Sequence, residues 1–531
     1  MLNLLLFSCA RVGAPNGGTR DSLAPKFLGS NIDTTRLNVS RTVKELRLDF
    51  DEYVMLKDFN KNFNVSPPIK KIKKVIPSNL ANKYVLIQWE DTLQANTTYN
   101  FNFGNAIVDN NESNPLPYFN FAFSTGDKID DLFVSGTVKD AMTLIKENQT
   151  AKDNKMVVGL YKAGENLDYK QKPDYITKVD EENYFELNFL PKGEFVIIAF
   201  DDENQNSVYD AGKEKVSFLK EKITLDSTSV RGLKLKLYPS KKVVKYKESK
   251  AINGGLLMTF EGNPETVDVK SLSEDLKDFK VTHAKRSDSV NIWFDAEKSN
   301  LGGTVSKQLK LSYFTPTISD TISVSYKAVK DEFKLSNEAG NLIAPENNFV
   351  INTSLPIENL NTSSWKLESD SIAQDFTAKI SEKNPFKILV NSSFKPTKKY
   401  VLTIPKETVS SYYSSNDKSF QFQFEIDKPE NYGSFTAVIK NKPTAKFWVE
   451  LTNEKGEILY SQFTNASEVS FKNLKPATYI ARIRVDNNGN GFWDEADFAQ
   501  NIAAEDVYIF EKEINVRPLW EIKEDWELIN H

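Results

Sequence analysis

Residues 96–104 read Asn-Thr-Thr-Tyr-Asn-Phe-Asn-Phe-Gly, and residues 118–124 read Tyr-Phe-Asn-Phe-Ala-Phe-Ser. Rings fall at Tyr99, Phe101 and Phe103 and again at Phe119, Phe121 and Phe123, with polar or small residues between them. A period of two puts every ring on one side of an extended chain, which is the pattern of a half-buried strand. Leu46, Leu48 and Phe50 alternate in the same way, as do Ile322, Val324 and Tyr326, and then Phe420, Phe422 and Phe424. Aromatic and β-branched residues favour such pleated surfaces. No long stretch carries the spacing of an amphipathic helix, so the expected fold class is all-β.

The chain has 531 residues, more than one hydrophobic core usually holds, so roughly three to five domains are expected. Hydrophobic residues make up 40% and charged residues 27%, as in folded soluble domains. The net charge of −5, with both signs interspersed, offers no basic surface for nucleic acid. Two histidines, His283 and the terminal His531, leave little room for a histidine triad or a His-rich zinc site. A single cysteine, Cys9, rules out an intrachain disulfide. Together these features point away from an enzyme.

Two constant offsets show internal duplication. A shift of 301 lays Leu48 and Phe50 on Phe349 and Ile351, Ile87 and Trp89 on Ile388 and Val390, Tyr99 on Tyr400, and Phe119, Phe121 and Phe123 on Phe420, Phe422 and Phe424. Units of about 100 residues are the size of a β-sandwich. The stretches LRLDFDEYVMLKDFNKNFNVSPP (46–68) and YFNFAFSTG (118–126) give residues 24–126 a resemblance to the SbsA-type bacterial Ig-like domain. A looser copy covers 340–428, and a third unit of this kind is expected over 245–330.

A shift of 284 lays NFLPKGEFVIIAFDDENQNSVYD (188–210) on KNLKPATYIARIRVDNNGNGFWD (472–494). The Gly-x-Val opening and the later Leu-Pro-x-Gly-x-Phe make 131–238 and 431–520 resemble the prealbumin-like, or carboxypeptidase regulatory-like, sandwich. That resemblance implies scaffolds rather than catalysts.

The same repeat contains the strongest candidate site. From Asp486 the chain reads Asp-Asn-Asn-Gly-Asn-Gly-Phe-Trp-Asp-Glu-Ala-Asp. A calcium loop takes ligands at positions 1, 3, 5, 7, 9 and 12 and a Gly at 6. Here those are Asp486, Asn488, Asn490, the Phe492 carbonyl, Asp494 and Asp497, with Gly491 sixth. The preceding residues read as a strand, so the setting is not that of an EF-hand. A solvated turn is the other reading, since Asn, Asp and Gly suit Asx-turns and left-handed backbone. The first copy offers Asp202, Asn204, Asn206, Val208 and Asp210, but Ser207 replaces the Gly and Lys213 takes position 12, which weakens it as a calcium site.

At the N-terminus, Leu6-Phe7-Ser8-Cys9 resembles the bacterial lipobox. That resemblance makes 1–8 the remnant of a signal peptide and Cys9 the lipidated residue, followed by a Gly- and Pro-rich tether through 23. The basic start and longer apolar run of a full signal peptide are missing. Seven Asp-Ser/Thr tripeptides, starting at Asp21, Asp33, Asp91, Asp226, Asp288, Asp320 and Asp370, resemble an O-glycosylation motif of exported bacterial proteins. The basic run Lys241–Lys250 reads as a linker.

The expectation is therefore a string of about five β-sandwich domains, Ig-like and prealbumin-like, behind a lipobox cysteine. The chain would be an outer-membrane lipoprotein, on either face, holding or contacting an outer-membrane protein complex. The alternative is surface carbohydrate binding or adhesion, for which Trp493 is the aromatic candidate.

Overall fold

The computed structural model describes residues 21–144, 155–164, 167–329, 331–338 and 340–528. Cys9, the signal remnant and most of the tether lie outside them. Strands dominate throughout, and the only α-helical turn among the described residues is Phe59–Asn62. The described residues form two compact units. One holds those up to Lys139, those of 155–210, and Val216–Leu237; the other holds 140–144, Ala211–Lys215 and those from Tyr238 onward.

In the first unit the alternating stretches become two facing sheets. One runs in the order Phe27–Ser30, Glu45–Leu56, Asn82–Trp89, Ile72–Ile76, and the other runs Asn64–Ser66, Thr98–Gly104, Phe119–Ser124. The rings of the opening stretches point inward: Phe101, Phe103, Phe121 and Phe123 are buried with Leu46, Leu48, Ile87 and Trp89 in one core. Phe101 pairs with Phe121 across the antiparallel ladder. The next pair of sheets uses Tyr175–Lys178, Met156–Lys162, Gly193–Asp201 and Val216–Phe218 on one side, and Tyr184–Leu190, Leu132–Asp140 and Val230–Leu237 on the other.

The second unit contains three further sheet pairs. The first packs Leu256, Met258, Val290 and Ile292 against Leu309, Leu311 and Tyr313. The second packs Phe349, Ile351, Ile388 and Val390 against Tyr400, Leu402 and Phe424. The last packs Phe435, Ala437 and Phe471 against Val449, Ala481 and Ile483.

Both duplications extend to strand order. The last sandwich runs Ile458–Thr464, Phe447–Thr452, Ala477–Val485, Val507–Ile509, facing Glu468–Leu474, Gly433–Lys440, Glu521–Glu527. That is the order of the earlier copy at every position. In the other repeat the offset of 301 holds for one sheet, where Phe101 faces Phe121 and Leu402 faces Phe422. In the second sheet the register has slid. Leu48 faces Val85, whereas Phe349, its sequence match, faces Val390 rather than the equivalent position 386. The slide is an even number of residues, so each apolar side chain stays on the core face.

The reading of 241–250 as a linker needs correction. Lys245–Ile252 is a strand paired antiparallel with Gly255–Glu261. It lies at the end of its sheet, where an edge strand carries lysines that discourage pairing with another chain. Those charges hid the alternation.

Candidate functional site

The strand Ala477–Val485 delivers the chain into the acid-rich loop, and Val507–Ile509 brings it back into the same sheet. Between them the loop curls around the carboxylate of its first residue. Asp486 Oδ2 accepts the Gly491 N–H at 3.0 Å, while Asn488 and Asn490 Oδ1 accept the N–H groups of Asn490 and Phe492 at 3.0 and 2.8 Å. Gly489 and Gly491 have φ of +72° and +82°, the left-handed region where glycine has no Cβ penalty. Both asparagine amides donate to Asp494 Oδ2, at 2.6 and 2.7 Å.

Asp497, the twelfth position, is not gathered with these groups. Its carboxylate accepts the Gln500 N–H at 3.2 Å and its main chain bridges to Ile502. The acid that closes the loop is Glu505, which sequence spacing missed. It is 6% exposed and accepts the N–H groups of Asn488 and Asp494, at 3.1 and 3.0 Å. A signal was present, because Glu505 stands two residues before Val507, as Glu214 stands two before Val216, and both glutamates are buried. A seven-residue insertion in the second copy moves this pair off the common offset.

The loop also reaches its surroundings within the second unit. Arg286 Nη1 meets Asp494 Oδ1 at 2.8 Å, and its guanidinium lies over the Phe492 ring at 4.7 Å. Ala496 exchanges main-chain hydrogen bonds with the segment around Ser240, donating to the Pro239 carbonyl and accepting from Lys241. Trp493 is half-buried rather than an open platform. Its indole N–H donates to the Glu505 carbonyl, and its ring lies beside Tyr238 and Arg484.

Burial raises the Asp494 carboxyl, but the two asparagine amides and the Arg286 guanidinium outweigh it and hold it below the usual range. Glu505 and Glu495 are pushed up by burial.

The first loop is built on the same backbone plan but is filled differently. Gln205 and Ser207 take the left-handed positions. Asp202 is equally buried, yet both its oxygens have partners: Oδ1 accepts the Asn206 N–H and Oδ2 the Ser207 N–H, each at 3.0 Å. Asn204 donates to Asp210, and a small cavity beside the loop is lined by Lys61 and Lys178. Among the described residues no group of three or more His, Cys, Asp and Glu side chains is placed to hold a metal.

A second polar cluster occupies the sheet face next to the second loop. Glu450 is 1% exposed; Oε2 receives Nε and Nη2 of Arg482 at 2.9 and 2.7 Å, and Oε1 receives Nε and Nη2 of Arg484 at 3.1 and 2.5 Å. Trp448 and Phe463 stack nearby at 4.5 Å. Elsewhere, the hydroxyl residues of six Asp-Ser/Thr tripeptides are exposed, and Ser289 is half-buried.

Comparison with solved structures finds domains 1–6 of the surface layer protein SbsC, at 11% identity over 93% of this chain and 67% of that one, with a TM-score of 0.16. It also finds the Bacillus anthracis TIE protein at 11% identity over 97% and 76%, with a TM-score of 0.13. BcpA, the major pilin subunit of Bacillus cereus, matches at 10% identity over 75% and 99%, with a TM-score of 0.14. Scores this low carry no inference about this chain. A search of curated proteins returned no match. Residues 21–125, which contain the alternating rings and the first pair of sheets, match the bacterial Ig-like domain family.

Proposed function

We propose that the chain is a non-enzymatic scaffold of the bacterial cell envelope, anchored through lipid on Cys9 and docking an outer-membrane protein complex. One observation carries this reading. The loop richest in acids and amides is spent on the protein's own frame: Asp494 holds Arg286 of another sandwich, and Ala496 and Trp493 hold the segment at Pro239 and Tyr238. Loops used in this way fix sandwiches to one another and leave edges and end-loops for partners.

The test is fractionation of cells expressing the tagged chain, followed by pull-down from solubilised membranes. The expected result is native chain in the outer membrane, release of Cys9→Ser into the soluble fraction, and one stoichiometric partner in mass spectrometry. Identical fractionation of Cys9→Ser would overturn the anchor, and the lack of a stoichiometric partner would overturn the scaffold.

Carbohydrate binding is a second reading, favoured by the Trp448–Phe463 stack, whose Phe463 is 45% exposed. Retention on glycan beads that is lost in Trp448→Ala would support it over the first.

A further inference from the structure

The two acid-rich loops differ in how their first aspartate is satisfied. Asp486 is 3% exposed, and its Oδ2 is held by Gly491, but its Oδ1 is buried with no hydrogen-bond partner. Both oxygens of Asp202, the same position in the first copy, are taken by main-chain N–H groups. A buried carboxylate oxygen without a partner is expensive, and it needs a proton, a water or a cation.

We propose that the loop from Asp486 to Asp494 holds a divalent, oxygen-seeking cation of the calcium class, with Asp486 Oδ1 as its anchor. The neighbouring groups suit that ligand. Asn488 and Asn490 Oδ1 each accept one N–H and keep a second lone pair. Their amide nitrogens are tied to Asp494 Oδ2, so the oxygens are the ends left to ligate. Asp494 is itself fixed through its other oxygen by Arg286. It acts as an outer partner that orients the asparagines, a role usual around bound metals. The Phe492 carbonyl, at the seventh position, completes the protein ligands.

Carboxylate, carboxamide and carbonyl oxygens suit calcium and do not suit zinc. With one anchoring carboxylate the affinity falls in the ~10⁻⁴–10⁻³ M range of extracellular modules. The first loop is the poorer cation site, since neither oxygen of its Asp202 is left without a partner and Lys61 and Lys178 line the adjoining cavity. The site does not depend on the scaffold reading.

The experiment is calorimetric titration of the full chain with calcium chloride after treatment with a chelator. The expected result is one ion per chain, roughly tenfold or weaker binding in Asp486→Asn, and unchanged binding in Asp202→Asn. Should Asp486→Asn lose its far-ultraviolet dichroism, Asn490→Ala replaces it, with weakened binding expected. No saturable heat in the folded native chain, or native affinity in the folded Asp486 or Asn490 variant, overturns the proposal.

Discussion

At the scale of single residues, the duplicated sandwiches give opposite answers to one question. In the last sandwich Glu450 pairs across the ladder with Arg482, and in the earlier copy Gly159 pairs with Ile198 at the matching place. Arg484 likewise corresponds to Phe200, and Trp493, which lies on Arg484, corresponds to Tyr209, which lies on Phe200. One face is therefore ionic and the other apolar. Removing one partner of a buried pair leaves an uncompensated charge, whereas exchanging the whole group for apolar residues is often neutral or stabilising. Glu450→Ala should therefore cost about 3–5 kcal/mol, read by denaturant unfolding of the full chain. The triple change Glu450→Met, Arg482→Ile and Arg484→Phe should recover most of that loss. An equal loss in both would contradict this account.

Glu495 gives a pH test. Burial raises its folded pKa above the unfolded value, so its charged form opposes folding. That opposition is fully present above the folded pKa and fades as pH falls toward the unfolded value, about 4.3. Glu495→Gln should be more stable than the native chain at pH 7, with the difference closing on acidification, as followed by thermal melts across pH. A constant difference would contradict the linkage.

At the scale of elements, the loop between Val485 and Val507 is a joint as much as a turn. The Arg286–Asp494 pair is partly shielded, with both side chains less than one quarter exposed. Charge-assisted hydrogen bonds of this kind contribute about 1.5–3 kcal/mol. Arg286→Ala should speed amide exchange across 486–505 without changing exchange across 202–214, the matching loop of the first copy. Unchanged exchange in the loop would show the pair to be incidental.

Strand packing sets a second test at this scale. Gly255 pairs with Trp293, and a Cβ there would come within 2.0 Å of the Ile292 carbonyl oxygen. Gly255→Ala should therefore destabilise its sandwich by several kcal/mol, whereas a Cβ at Gly303 meets nothing within 4 Å, so Gly303→Ala should be nearly neutral. Urea unfolding of the two variants compares them directly.

At the scale of the whole molecule, stability is shared among separate cores, each built by a pair of sheets. Unfolding should be multiphasic, because separate cores need not melt together. Calorimetry of the full chain should show more than one transition, and Glu450→Ala should move one of them while leaving another in place. A single transition displaced as a whole would mean that the cores are strongly coupled.

The sequence by itself determined the all-β class, the inward faces of the alternating strands and both duplications. Period-two alternation and a repeated spacing are local properties that survive without knowledge of partners. It also located the acid-rich loop and, within it, Asp486, Asn488, Asn490 and Asp494. Only the tertiary structure decided that Asp497 turns away and Glu505 closes the loop, because the insertion before Val507 breaks the spacing. Register was also out of reach, since a slide of four residues preserves the apolar face and leaves no trace in the pattern. The same holds for Arg286, which meets Asp494 from another sandwich: a contact across some two hundred residues is made by packing, and no local periodicity encodes it.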